Sequence, residues 1–315
     1  MNFTIINGMI GHLLDYVTPI LFAALGAVLT ENAGVVNIGI EGIMRFGAFF
    51  ALFGAYVSHT PWVGLLVGMA TGAAVGALHA FITIRWNGDQ TVAGTAVNVI
   101  AMGLMTYLLE YVFNTTGYSP QLQNYFGAAE YRIQLAFLSS IPILGAFANL
   151  SFMIWLGLIS TALLHVLLYR TVLGLRIRTA GENPRAATTL GLNVFRLRWF
   201  GVIGGAVLAA MGGVALSVSS FSGFSDTMPN GIGFIGIAAM IFGKWTPFGA
   251  LGAAMLFGTG QIVQSIIAVT GIAPKLAPGI TMILPYVLTL GVLAGFVGRS
   301  VAPAADGLPY YKEQR

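Results

Sequence analysis

Long apolar runs follow one another along almost the whole of this chain, and they leave it very few ways to fold. They lie at roughly 13–30, 33–57, 62–84, 91–112, 151–170, 199–220, 232–243, 248–268 and 280–298. A helix needs about 20 apolar residues to cross the hydrocarbon core of a bilayer, and most of these runs reach that length. Only 8% of the 315 residues are charged, against roughly 25% in a soluble domain. So few charges do not cover a water-facing surface of this size, and the surrounding solvent is mostly lipid. The expectation is an all-α fold: a single polytopic transmembrane helical bundle over residues 1–315, with about eight to ten spans. The run at 232–243 is too short to cross unaided. It reads as re-entrant, as half of a broken helix buried in protein, or as a full crossing helped by its flanks.

Orientation follows from Lys and Arg, which collect on the cytosolic side of membrane proteins. With the loop at 171–198 placed inside, the inner side gathers Arg85, Arg170, Arg176, Arg178, Arg185, Arg196, Arg198, Lys244, Arg299, Lys312 and Arg315. The outer side keeps only Arg132 and Lys275. The N-terminus is therefore expected outside and the C-terminus inside. That alternation needs 232–243 to cross fully. Residues 113–150 become an external loop, and 300–315 a polar, poorly ordered cytosolic tail. Met1 to Gly11 carries no basic leader region, so the first apolar run is expected to remain as a membrane helix.

The net charge of +4 sits in a few loops and is not a nucleic-acid signal. The chain has no cysteine, which excludes thiolate catalysis and Cys-based metal sites. Its histidines, His12, His59, His79 and His165, show no metal-ligand spacing. Gly68, Gly72 and Gly76 recur every four residues, as do Gly201 with Gly205 and Gly291 with Gly295. Small residues at that interval let helix backbones approach closely, within one subunit or between two.

One short polar segment, Gly181 to Val194, separates two apolar runs. Asn183 suits an N-cap, Pro184 the first helical position and Gly191 the C′ position. This predicts a helix of about two turns, Pro184 to Leu190, flanked by arginines. Such a helix serves either as an ordinary connector or as a docking element for a cytosolic partner.

Polar residues inside apolar runs each need a reason. Gly34, Gly39 and Gly42 weaken any helix across residues 32–45. Asn37 and Glu41 are four apart, as are Glu41 and Arg45. One reading is a broken helix lining a translocation path, with Asn37 bonding a polar solute. The other is structural, with Glu41 and Arg45 neutralising each other. Thr91, Thr95 and Asn98 share one helical face and either line a pore or bond a neighbouring helix. Gln261 and Gln264 carry the same two readings. Phe221, Phe224 and Phe234 either stack on a flat ring or anchor the membrane interface.

No ATPase is encoded: the Gly243-Lys244 pair is followed by Trp245 and lacks the glycine that a phosphate-binding loop needs. Nor does anything resemble a nucleophile with its base. Three classes stay open: a permease energised by another chain, a proton- or sodium-coupled transporter using Glu41 or Glu110, and an unenergised channel or scaffold.

Gly34-Val-Val-Asn-Ile-Gly-Ile-Glu-Gly42 resembles the signature of permease subunits of bacterial nucleoside ABC importers, relatives of the branched-chain amino acid and ribose permeases. Arg178 to Ala187 with Gly191 to Val194, Ile241 to Ala250, Leu284 to Leu290 and Gly298 to Ala304 extend the resemblance over nearly the whole chain, in order. The polar loop is shared more widely and speaks for the machine, not the cargo, so a sugar or branched-chain amino acid permease stays an alternative. The resemblance implies a multi-pass protein of the bacterial cytoplasmic membrane, paired with a second, usually non-identical permease. It implies a cytosolic ATPase that binds the ATP, so that this chain carries no cofactor, and an extracytoplasmic substrate-binding lipoprotein. The ATPase would dock on the polar loop, where Glu182, Asn183, Pro184, Ala187, Leu190 and Gly191 are the coupling residues. Asn37, Glu41, Thr91, Thr95, Asn98, Phe221 and Gln261 are the candidate substrate path.

Overall fold

The computed structural model describes residues 3–125, 132–135, 138, 144–270 and 300–311. The apolar run expected at 280–298, and Gly291 with Gly295, lie outside the described residues. Ten α-helices carry the described chain: α1 (Phe3–Asn32), α2 (Ile40–Ser58), α3 (Pro61–Ala80), α4 (Gln90–Phe113), α5 (Phe152–Arg170), α6 (Val172–Glu182), α7 (Pro184–Thr189), α8 (Val194–Val214), α9 (Ile232–Phe242) and α10 (Pro247–Thr270). π-helical turns extend α3 through Phe81–Arg85 and α8 through Ala215–Ser220. Among the described residues, six helices are long and apolar enough to cross a membrane. A two-stranded antiparallel pair, β1 (Arg132–Gln134) with β2 (Asn149–Ser151), sits before α5.

α8 is the hub. In lipid no hydrophobic force drives one helix onto another, so association rests on close packing, and small residues supply it here. Gly205 of α8 meets Gly26 and Thr30 of α1 so closely that a Cβ would collide with both. Gly213 meets the backbone of Met44 on α2 in the same way. Gly68, Gly72 and Gly76 of α3 face Val214, Ala210 and Ala206 of α8 in turn. That glycine stripe therefore packs within the subunit.

The run expected at 33–57 is not one helix. α1 ends at Asn32, where Gly34 adopts φ +81° and the amides of Gly34 and Val35 return to Glu31 and Thr30. α2 starts only at Ile40. Asn37 thus lies in the non-helical segment, and it shares no helical face with Glu41. Non-helical backbone at this depth needs protein partners. Gln90 Oε1 accepts from Val36 N at 2.7 Å, Asn98 Oδ1 accepts from Gly42 N at 2.7 Å, and Asn98 Nδ2 donates to Ile38 O at 3.0 Å.

α9 is a half helix. Its 11 residues rise about 17 Å, roughly half of a bilayer core. Gly233 lies against Glu41, and Gly236 against Ala23 and Ala24 of α1. Residues 221–231, non-helical, complete the path down from the end of α8. The chain therefore regains the far end of the bundle before α10, though not as the flank-assisted helix one would draw from the run length.

The tail from Ser300 departs from expectation. Through residue 311 it is not loose: Ala305 and Tyr310 are buried, against α6 and α8.

Candidate coupling helix and pocket

Two regions hold most of the sequence-predicted residues. The first is α7. Asn183 Oδ1 accepts from Ala186 N at 3.0 Å, Pro184 opens the helix, and Gly191 follows it at φ +77°. The caps stop the helix within one residue of the expected end. Ala187 is fully buried, while Leu190 stands 75% exposed. α7 is therefore anchored by one face and offers an apolar knob on the other. Glu182 does not project freely, because its Oε2 accepts from Ala304 N of the tail at 3.2 Å.

The second region is a cavity of about 570 Å³ at the opposite end, between α1, the loop after α4, residues 221–231, α9 and α10. Its volume falls in the range of small-molecule pockets, about 300–1,000 Å³. Tyr16, Tyr118 and Phe221 bring aromatic faces, and Gln121, Asn230 and Gln261 bring amides. Aromatic faces with a few amides suit a flat, neutral, hydrogen-bonding solute. The rim is stitched together: Ser119 N donates to Phe224 O at 2.9 Å, Phe224 N to Ser119 Oγ at 2.8 Å, and Asp226 N to Gly117 O at 3.0 Å. Phe224 is buried and supports the rim, stacking edge-on to Phe49.

Glu41 sits below this cavity. Its Oε1 and Oε2 each accept at 2.7 Å, from Gly231 N and Gly233 N. A carboxylate there meets two amides without helical partners and the positive end of the α9 dipole. Arg45 Nη1 donates to Asp226 O at 2.9 Å. The spacing of four along α2 thus serves to hold the 226–233 segment from two points.

Of the proposed path residues, Phe221 and Gln261 line the cavity. Asn37, Thr91, Thr95 and Asn98 do not. Asn98 braces the break between α1 and α2. Asn37 Oδ1 accepts from Gly39 N at 3.0 Å, while its buried Nδ2 has no partner. Thr91 and Thr95 lie on the exposed face of α4, with Thr95 Oγ1 donating to Thr91 O at 2.9 Å. The Gln264 side chain lies outside the described residues.

Sequence reasoning missed a network at the α7 end of the bundle. Trp245 Nε1 donates to Glu31 Oε2 at 2.6 Å, and Asn32 Nδ2 donates to Trp245 O at 3.0 Å. Asp306 of the tail lies beside Glu31; burial first, then that neighbouring carboxylate, push its pKa up to about 8. The available signal was a pair of acidic residues, Glu31 and Asp306, bordering apolar runs.

Comparison with known proteins agrees with this architecture. Residues 9–293 match the family described as branched-chain amino acid transport system / permease component. The nucleoside ABC transporter permease protein NupC of Lactococcus lactis is 38% identical, over 97% of each chain. The guanosine ABC transporter permease protein NupQ of Bacillus subtilis is 36% identical, over 96% of each. A putative glucose ABC transporter permease of Haloferax volcanii is 32% identical, over 76% of this chain and 71% of its own. The first two organisms each hold a second, more distant relative, NupB and NupP, at 24% and 23% identity over 77% of this chain and 68% and 69% of theirs. No solved structure matches.

Proposed function

Because the chain belongs to the family of permease components of branched-chain amino acid transport systems, we propose that it conducts nucleosides as one half of the membrane channel of an ABC importer. The observation that carries the nucleoside is the near full-length similarity to NupC and NupQ. The outer pocket supports it, since its aromatic and amide lining suits a flat base on a hydroxylated sugar, and the residues reaching into it are neutral. A neutral solute gains nothing from strong charge along its path.

The two-permease pattern of the relatives supports a non-identical partner subunit. We place that subunit against the exposed face of α4. Thr91, Thr95, Thr106 and Glu110 are exposed there, and polar groups are poorly placed against lipid tails. A cytosolic ATPase seats on Leu190 and the outer face of α7. An extracytoplasmic lipoprotein delivers solute to the pocket end. The N-terminus lies outside and the C-terminus inside, in the bacterial cytoplasmic membrane.

Two measurements test this. Leu190→Asp with Gly191→Asp should strip the ATPase from the purified complex, while the permease pair survives. ATPase recovery at the wild-type level would refute the docking helix. Radiolabelled nucleoside uptake should be competed by other nucleosides and not by glucose. Competition by glucose alone would favour the sugar reading that the Haloferax relative suggests. Solute accumulation by the permeases alone, on an ion gradient, would replace both with a secondary transporter.

A further inference from the structure

The tail runs from beneath α9 across the inner face of the bundle and ends on α7. Ser300 Oγ donates to Ile241 O at 2.8 Å, at the end of α9. Ala305 N donates to Gly181 O at 2.9 Å, filling one of the carbonyls left open at the end of α6. Arg198 of α8 reaches under the tail, and its Nη1 donates to Leu308 O at 2.8 Å. Asp306 lies beside Glu31 at the end of α1 and near Arg198. At the far end Tyr310 packs against Phe195 with ring centroids 5.3 Å apart, and its hydroxyl lies 2.6 Å from Thr188 Oγ1 of α7.

The direction of that last bond can be assigned. Thr188 Oγ1 also contacts Pro184 O at 2.9 Å, and a carbonyl only accepts. The single threonine proton goes there, so Tyr310 must donate to Thr188. α7 itself is six residues long and buries mainly Ala187. Its outer turn is therefore tied to the bundle through the tail, at a point one turn or less from Leu190.

We propose that residues 300–311 form a strut that passes displacement of α7 to the inner ends of α1 and α9, with Tyr310 as the positioning residue at its α7 end. The strut rests on the reading of α7 as the ATPase seat. It adds that seating alone does not move the pathway. A load applied at Leu190 reaches α1 through Asp306 and Glu31, and α9 through Ser300. Glu31 extends the route to the α9–α10 turn through Trp245.

The test uses the complete reconstituted importer: both permeases, ATPase and receptor in proteoliposomes. Solute uptake and ATP hydrolysis are measured together for Tyr310→Phe, for Thr188→Val and for a chain ending at Val301. In Tyr310→Phe, uptake per ATP should fall about fivefold, the population shift expected from losing one partly buried hydrogen bond. The truncated chain should lose more. The ATPase should still co-purify with every variant, because Leu190 is untouched. Unchanged uptake per ATP in the truncated chain overturns the strut. Loss of ATPase recovery in step with uptake also overturns it, by placing the tail in the docking interface. Leu190→Asp, run in parallel, separates the two claims: ATPase retained in that variant means that α7 is not the seat.

A second measurement does not depend on deleting contacts. The chain has no cysteine, so Thr188→Cys with Tyr310→Cys can be bridged by a short bis-methanethiosulfonate cross-linker, which attaches through two reducible disulfides and releases sulfinate. A strut that moves with α7 keeps most of its uptake when bridged. Uptake that stops on bridging and returns on reduction identifies a latch that must open, and refutes the strut.

Discussion

Replacing Glu41 by Gln tests how the floor of the pocket is built. The carboxylate accepts two backbone amides at 2.7 Å each, from Gly231 and Gly233. Hydrogen bonds to a charged acceptor contribute about 1.5–3 kcal/mol each, against about 1 kcal/mol for neutral ones. A carboxylate at a helix N-terminus adds about 0.3–1 kcal/mol. Gln keeps one acceptor, weakens that bond to a neutral one, and turns an N–H toward the second amide. Summing these, Glu41→Gln should cost about 3 kcal/mol. For a chain of this size that lowers the unfolding midpoint by about 4–5 °C. The assay is thermal unfolding in detergent by tryptophan fluorescence, with nucleoside uptake measured beside it. Glu41→Asp, one methylene shorter, should fall between the two. Because α9 begins at this cap and lines the pocket through Ile232 and Ile235, the half-saturation concentration should rise as well. An unchanged midpoint together with unchanged uptake would show that α9 does not depend on Glu41 for its start.

The other predictions concern the break, the network at the α7 end and their contact. Asn98→Ala leaves Gly42 N and Ile38 O without their partner, and should cost about 2–4 kcal/mol, seen as lower yield of folded permease and a lower unfolding midpoint. Docking of the tail should weaken with rising pH, because Asp306 holds a proton up to about 8 when docked and only to about 4 when released. The docked state binds more protons between those values, so stability of docking is full at low pH and is lost as pH rises toward 8. Glu31 and Arg198 lie beside this group. The protection of residues 304–308 against hydrogen exchange, corrected for the intrinsic rise of exchange with pH, should therefore fall from pH 6 to pH 8.5, and Asp306→Asn should flatten that fall. Gly181→Ala places a methyl onto Asn32 O and should push α6 off the end of α1. Uptake should fall while ATPase recovery holds, and intact uptake would show that this contact carries no load.

The helix α7 could be read from the chain because its signals are local. Asn183, Pro184 and Gly191 each impose a backbone geometry on their own, whatever lies around them. The glycine stripe on α3 was legible for the same reason, since spacing alone puts Gly68, Gly72 and Gly76 on one face. The break at 33–39 was only half legible. Its glycines announced a weak helix, but the segment is held open by Gln90 and Asn98, more than 50 positions away. For Glu41 spacing told half: it places Arg45 on the same face of α2, as the structural reading has it, yet both side chains also bond the 226–233 segment. No local pattern reports a partner 190 residues distant. The tail was read as loose because Ser300 to Tyr311 is polar and rich in turn formers. Its order comes from carbonyls and carboxylates exposed at the ends of other helices, which composition does not reveal.

These non-local contacts form a continuous path between the two regions of interest. Gly181, at the end of α6, touches the backbone of Asn32 and Gly34 at the break. The break rests on α4, where Gly39 meets Gly94 and Gly42 meets Asn98. The first turn of α2 then holds the start of α9 through Glu41, and α9 lines the pocket. Every joint on this path is backbone against backbone, or a side chain bonded to backbone, with glycine at most of them. Such joints have little side-chain slack to absorb a shift. A displacement of α6 and α7 must therefore either be transmitted or break a contact. Asn37, Gln90, Asn98 and Glu41 each bond backbone along this path, which offsets what polar groups cost in lipid.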